Sequence, residues 1–399
     1  GNVIENITGG LQDDVLTGNG LDNVIMGGTG QDTLTGGGGD DTLMGEAGDD
    51  TYLFDADTPL DHDAVTESAG GGTDSFDFSA TATQAISVDL SSVTSQMVSA
   101  ALSLTLSAGN VIENLYGGQA GDTLTGNNLD NIIQGGAGDD TLDGGAGDDT
   151  MLENRAGDFQ LLAGPPTTLT INGTETDTLS NFEDVSLVGD DNPNILDASA
   201  FSGTVSLDGR GGDDTLRGGS GTNRLTGGSG NDAIDGSLGS DVLVEQRDAN
   251  FTLTNTTLLI GVETDTLTGI ETAALTGGDG NNTLDASAYG GSVMLDGGAG
   301  DDTLIGTANG DILIGGAGAD TLKGGNGNDV YSFDADSPLG SDSINESAVG
   351  GTDTLDFSDT SSLDITVDKY EEACERVRRM GGLIEPPEPD GLDGVSTPF

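Results

Sequence analysis

A nine-residue phrase, GGTGQDTLT at 27–35, is followed at once by GGGGDDTLM at 36–44, and the phrase returns in three further blocks. Glycine recurs at positions 1, 2 and 4, aspartate at 6 and an aliphatic residue at 8. A register of nine kept through four blocks is far more specific than the turn propensity of scattered glycine and aspartate. Each nonapeptide divides two tasks. GGxGx turns the chain, and glycine serves there because so tight a turn uses positive φ. The next three residues form a short strand whose central side chain points inward: Leu16, Ile25, Leu34, Leu43 and Tyr52 in the first block.

This phrase resembles the repeat of the RTX (repeats-in-toxin, haemolysin-type) calcium-binding proteins, and the period and its glycines match closely. The resemblance implies an all-β fold: a right-handed parallel β-roll, or β-solenoid, with calcium bound in the turns. It also implies export of an unfolded chain by the bacterial type I pathway and folding once calcium is met outside the cell.

With two nonapeptides to a coil of eighteen residues, turns eighteen apart in sequence lie side by side. Position 6 is Asp14, Asn23, Asp32, Asp41 and Asp50 in the first block and Asp122, Asn131, Asp140 and Asp149 in the second. It is Asp214, Asn223, Asp232 and Asp241 in the third, then Asp302, Asp311, Asp320 and Asp329 in the fourth. Neighbouring coils pair Asp14 with Asp32, Asp32 with Asp50, Asp122 with Asp140, Asp214 with Asp232, Asp302 with Asp320, and Asp311 with Asp329. Three mixed pairs, Asn23 with Asp41, Asn131 with Asp149 and Asn223 with Asp241, carry less charge and are expected to bind more weakly. Carboxylates and peptide carbonyls suit Ca2+, which takes six to eight oxygens at flexible geometry, whereas Zn2+ favours Cys and His. The chain has one of each, His62 and Cys374.

Seventy acidic residues against ten basic give a net charge of −60, which argues against nucleic acid or anionic membrane surfaces as partners. Nine divalent ions would offset less than a third of it. At an extracellular-type affinity of about 10⁻⁴ M and calcium of about 1 to 10 mM, each site would stabilise the fold by roughly 1.4 to 2.7 kcal/mol. Several together reach the net stability of a typical domain, about 5 to 15 kcal/mol, so the chain is expected to be disordered without calcium. A third of the residues are hydrophobic and Trp is absent, so a slim two-sheet roll is expected rather than a thick core. One cysteine leaves no intramolecular disulfide framework, and no signal peptide or apolar membrane span is read.

The chain divides into roll blocks at 1–54, 109–153, 209–244 and 297–332, with linker coils at 55–108, 154–208, 245–296 and 333–368 and an atypical tail at 369–399. The linkers are themselves repeated: 45–89 aligns without a gap on 324–368, TETDTLSNFEDVSL (174–187) echoes VETDTLTGIETAAL (262–275), and 194–209 echoes 282–297. They read as irregular strand-forming coils stacked on the same solenoid. Asp55, Asp57, Asp61, Asp63 and Glu67, matched by Asp334, Asp336, Asp342 and Glu346, form an acidic cluster after a roll, read either as a calcium cap or as a solvated loop. In the tail, Ala373, Val377 and Met380 have helical spacing stopped by Gly381 and Gly382, so a short helix is expected over 370–380. The string ACERVRRMGGLIEPPE weakly resembles a piece of the vicinal-oxygen-chelate (glyoxalase-like) superfamily, but without histidine it implies no metal site there.

No HExxH or GxSxG motif occurs, and a three-histidine zinc site is impossible with His62 alone, so the chain reads as non-catalytic. Three roles remain. The first is a calcium-rigidified extracellular structural or adhesive rod, as in an appendage or surface layer. The second is a secretion and folding module of a larger toxin or enzyme. The third is a ligand-binding or filament-forming solenoid that associates end to end or contacts the cell surface or matrix.

Overall fold

Residues 4–68, 70–334, 340–346, 350–358 and 360 are described by a computed structural model, together with the backbone of 365–369 and 375–379. They are all-β, as the repeat register implies, and no helix long and apolar enough to cross a membrane occurs among them. The chain forms two compact units: 1–245 with 263–272, and 246–262 with 273–399.

In the first unit successive nonapeptides alternate between two parallel sheets. Val15–Thr17, Thr33–Thr35 and Thr51–Leu53 stack in register, with Leu16 opposite Leu34 and Leu34 opposite Tyr52. The intervening repeats form the other face, where Ile7, Ile25 and Leu43 line up. Alternation within each strand explains the core, since side chains at successive positions point to opposite faces. Ile25, Leu34, Leu43 and Tyr52 are fully buried, and so are their counterparts Leu124, Ile133, Leu216 and Leu225.

Linker strands extend the ladders. Ser75–Asp77 pairs with Thr51–Leu53 on one side and with Asn114–Tyr116 on the other, so that Phe76 lies between Tyr52 and Leu115. Phe76 meets Tyr52 edge-on with ring centroids 5.7 Å apart and Phe54 at 5.6 Å, while Phe54 stacks on Phe78 at 5.0 Å. Leucine is thus exchanged for aromatic packing where the glycine-rich repeat ends.

Antiparallel excursions interrupt the parallel stack. Phe159–Leu162 pairs with Thr167–Ile171, which pairs in turn with Glu175–Ser180, and the outer two strands rejoin the parallel ladder through Ile195–Asp197 and Thr141–Asp143. Asn172 and Gly173, at φ 51° and 63°, make the tight turn between the second and third strands. Positive φ at both central residues matches the right-handed twist of the flanking strands, and Asn-Gly tolerates it best.

The second unit is built alike. Thr303–Ile305 joins Thr283–Ala288 to Thr321–Lys323 in one sheet, and Ile312–Ile314 joins Ser292–Asp296 to Val330–Ser332 in the other. Phe251–Thr254 and Thr257–Ile260 make a hairpin on its first sheet.

The tail corrects one expectation. Glu375–Arg379, given helical spacing above, is a strand paired antiparallel with Ile365–Lys369. That register sets Asp368 opposite Arg376 and Lys369 opposite Glu375. The remainder of the expected helix, with Cys374, lies outside the described residues.

Candidate metal centre

The turns owe their shape to glycine in two ways. Gly28 and Gly30 sit at φ 118° and 125°, where a side chain is strained. A Cβ on Gly28 would also overlap the carbonyl oxygen of Gly10 in the preceding coil. Stacked turns therefore set a peptide oxygen of one coil directly against the glycine of the next.

Position 6 forms a ladder through these turns. In all nine expected pairs the later residue's Oδ1 accepts the backbone N–H of the earlier one. The donor–acceptor distances are 2.8 Å for Asp14 to Asp32, 2.8 Å for Asp32 to Asp50 and 2.7 Å for Asn23 to Asp41. They are 2.7 Å for Asp122 to Asp140 and 2.8 Å for Asn131 to Asp149. Asp214 to Asp232 is 2.8 Å, Asn223 to Asp241 3.0 Å, Asp302 to Asp320 2.8 Å and Asp311 to Asp329 2.9 Å. Coil stacking thus consumes one oxygen of each carboxylate.

The second oxygen shows what the site lacks. Oδ2 of Asp32, Asp41, Asp50, Asp140, Asp149, Asp214, Asp241, Asp302, Asp320 and Asp329 is buried and accepts no hydrogen bond. A buried acceptor without a partner costs about 1 to 3 kcal/mol, and more when charged, so a row of them calls for a counter-charge. Asp14, Asp122 and Asp311 differ: their Oδ2 takes a turn N–H from Gly10, Gly118 and Thr307 at 2.6, 2.7 and 2.6 Å. The asparagines differ again. The Asn223 amide donates to Gly236 O at 2.9 Å and to Asp241 Oδ1 at 2.6 Å, bringing its own protons into the cage.

Electrostatics agrees with this geometry. Burial, opposed by backbone hydrogen bonds and reinforced by neighbouring carboxylates, pushes Asp140 up to about 8 and Asp214 up to about 7. Asp50, Asp302, Asp320 and Asp329 rise to about 6 for the same reasons. Oxygen donors that are buried, anionic and short of hydrogen bonds fit a hard cation such as Ca2+.

The ladder also runs beyond the glycine-rich blocks, through Asp63 and Asp342 of the acidic cluster and through residues that sequence reasoning missed. Asp63 accepts from Asp41 N–H, Asp74 from Asp50, Asp177 from Asp140, Asp265 from Asp232, Asp342 from Asp320 and Asp353 from Asp329. Glu113, Glu183 and Glu271 take the same role for Asp74, Asp149 and Asp241. Several carry a signal in the sequence: an acidic residue followed by Thr or Ser and then Leu or Phe, as at 74–76, 177–179, 265–267 and 353–355, with the GGxG turn missing or displaced.

The acidic cluster at 55–67 divides accordingly. Asp63 and Glu67 are 1% and 7% exposed, whereas exposed Asp57 accepts the N–H groups of Ala82, Thr83 and Gln84 as a loop clamp. Asp336 lies outside the described residues. His62 contacts Ser103 Oγ through Nδ1 at 2.9 Å and Thr105 Oγ1 through Nε2 at 3.3 Å.

A family model of the RTX calcium-binding nonapeptide repeat, in four copies, matches residues 17–52, 116–151, 208–243, 274–288 and 296–331. No curated protein matches the chain. The matched stretches hold sixteen of the seventeen position-6 residues, all but Asp14, within the stacked turns described above; the chain carries the RTX calcium-binding nonapeptide repeat, whose ligand is Ca2+.

Proposed function

We propose that the rolls are a calcium-folded structural module that works outside the cell, as a stiff repeat segment of an appendage, surface layer or adhesin. The observation that carries the reading is the row of buried Oδ2 atoms without hydrogen-bond partners, set in a chain of net charge −60. The seventeen position-6 residues are the proposed calcium ligands, with peptide carbonyls of the turns completing each cage. Such cages cannot close at the sub-micromolar calcium of a cytosol and close readily at millimolar levels.

The same calcium dependence supports a second reading, a module that leaves the cell unfolded by type I export and folds outside for the benefit of a larger protein. A non-catalytic role fits both readings, because the hydrogen bonds of His62 run to two hydroxyl groups rather than to a carboxylate that would orient it as a base. End-to-end association of rolls belongs to the first reading, and light scattering with and without calcium tests it.

Circular dichroism during a calcium titration, with magnesium as control, tests the central reading. A cooperative gain of β signal at millimolar calcium is expected, weakened in the variant carrying Asp302→Ala and Asp320→Ala. A chain fully ordered in excess chelator would overturn it.

A further inference from the structure

Where the first roll ends, the eighteen-residue spacing fails. Asp50 N–H donates at 2.9 Å to Asp74, twenty-four residues on, and Glu67 folds into the space between. Carboxylate oxygens of Asp50, Glu67 and Asp74 all lie within 4.8 Å of one another, and all three residues are buried. Asp50 is 1% exposed; its Oδ1 serves the ladder to Asp32, and its Oδ2 has no hydrogen-bond partner. That orphaned oxygen points into the cluster. A Cβ on Gly45 would overlap it and would also stand 2.5 Å from Glu67 Oε1, so only glycine leaves room for the two oxygens.

Glu67 is held in place from two sides. Gly45 N–H donates to Glu67 Oε1 at 2.8 Å and to the Tyr52 hydroxyl at 2.7 Å, and that hydroxyl bonds Glu67 Oε1 in turn. Tyr52 occupies position 8, where the preceding repeats carry Leu34 and Leu43.

The second unit repeats the hydrogen-bond pattern 279 residues on. Gly324 N–H donates to the Tyr331 hydroxyl at 2.8 Å and to Glu346 Oε1 at 3.1 Å, the Tyr331 hydroxyl bonds Glu346, and Asp329 N–H donates to Asp353 at 3.1 Å. Asp329 Oδ2 is again buried without a partner, and a Cβ on Gly324 would overlap it.

We propose that Asp50, Glu67 and Asp74, and likewise Asp329, Glu346 and Asp353, form cation sites that terminate the rolls, each taking one Ca2+ through three carboxylates, with Tyr52 and Tyr331 as positioning residues. These sites differ from the repeat turns in drawing a ligand from the linker. The three carboxylates of the first site are buried and close together and need a divalent charge, while in the second Asp329 is buried, Glu346 half-buried and Asp353 exposed; an all-oxygen set suits calcium. The proposal rests on the calcium-binding reading of the rolls but fails separately from it.

Equilibrium dialysis counts the ions. The Glu67→Gln, Glu346→Gln variant should bind two fewer Ca2+ per chain while keeping its β signal at saturating calcium; an unchanged count overturns the proposal. Should that variant not fold, terbium decides, because the chain has no Trp and tyrosine is its sensitiser. Emission on tyrosine excitation should fall by more than half in Tyr52→Phe, Tyr331→Phe at equal bound terbium, and unchanged emission overturns the proposal. A wild-type chain whose β signal ignores calcium would instead overturn the reading of the rolls.

Discussion

At the scale of single residues, Asn223 shows how a repeat can supply its own counter-charge. Its amide donates to Gly219 O, Gly221 O, Gly236 O and Asp241 Oδ1, placing N–H groups where the Asp-Asp turns have a bare Oδ2. Asn223→Asp replaces those donors with a second buried acceptor. Without calcium it should destabilise the first unit by about 1 to 3 kcal/mol, the usual cost of an unsatisfied buried polar group. With calcium it should tighten the Asn223–Asp241 site, lowering the half-saturating calcium concentration read by dialysis, and an unchanged affinity would refute the account. The nine position-6 pairs were legible in the sequence because period and residue type agree at every one. Asp63 and Glu67 were not, since the loop offers five acids and only their burial separates them from exposed Asp57.

At the scale of elements, the parallel strands follow from the nonapeptide, whereas the strands that depart from it follow from local turn chemistry. Asn172-Gly173 is a strong hairpin signal lying inside a linker that alternates polar and apolar residues, so the alternation was readable and the change of direction was overlooked. Helical spacing at 373–380 misled because three apolar residues over so short a span are too few to fix a period, and pairing with Ile365–Lys369 decides for strand at 375–379. The aromatic junction between roll and linker is the element most exposed to a single substitution. Phe76→Ala removes the ring that Tyr52 and Phe54 meet edge-on and should cost about 3 to 5 kcal/mol. Urea unfolding at saturating calcium measures this, and a loss below about 1 kcal/mol would mean that the junction contributes little.

At the scale of the whole chain, protons and calcium compete for the same oxygens. Burial raises Asp50, Asp177, Asp302, Asp320 and Asp329 to about 6, Asp63, Asp74, Asp214 and Glu153 to about 7, and Asp140 and Glu245 to about 8. In the calcium-free fold these groups hold protons that the unfolded chain has already released. The folded state therefore binds more protons than the unfolded state between about pH 4 and pH 8, and stability falls as pH rises through that window. Calcium reverses the sign, because it binds the ionised carboxylates and displaces their protons. In chelator, lowering the pH from 8 to 5 should raise the β signal of a chain that is otherwise unfolded. In calcium, the half-saturating concentration should rise as pH falls below about 7, with measurable proton release on binding. A chelated chain whose signal is flat from pH 8 to 5 would show that the carboxylates are not buried together before the ion arrives, and that the cages are assembled only around it.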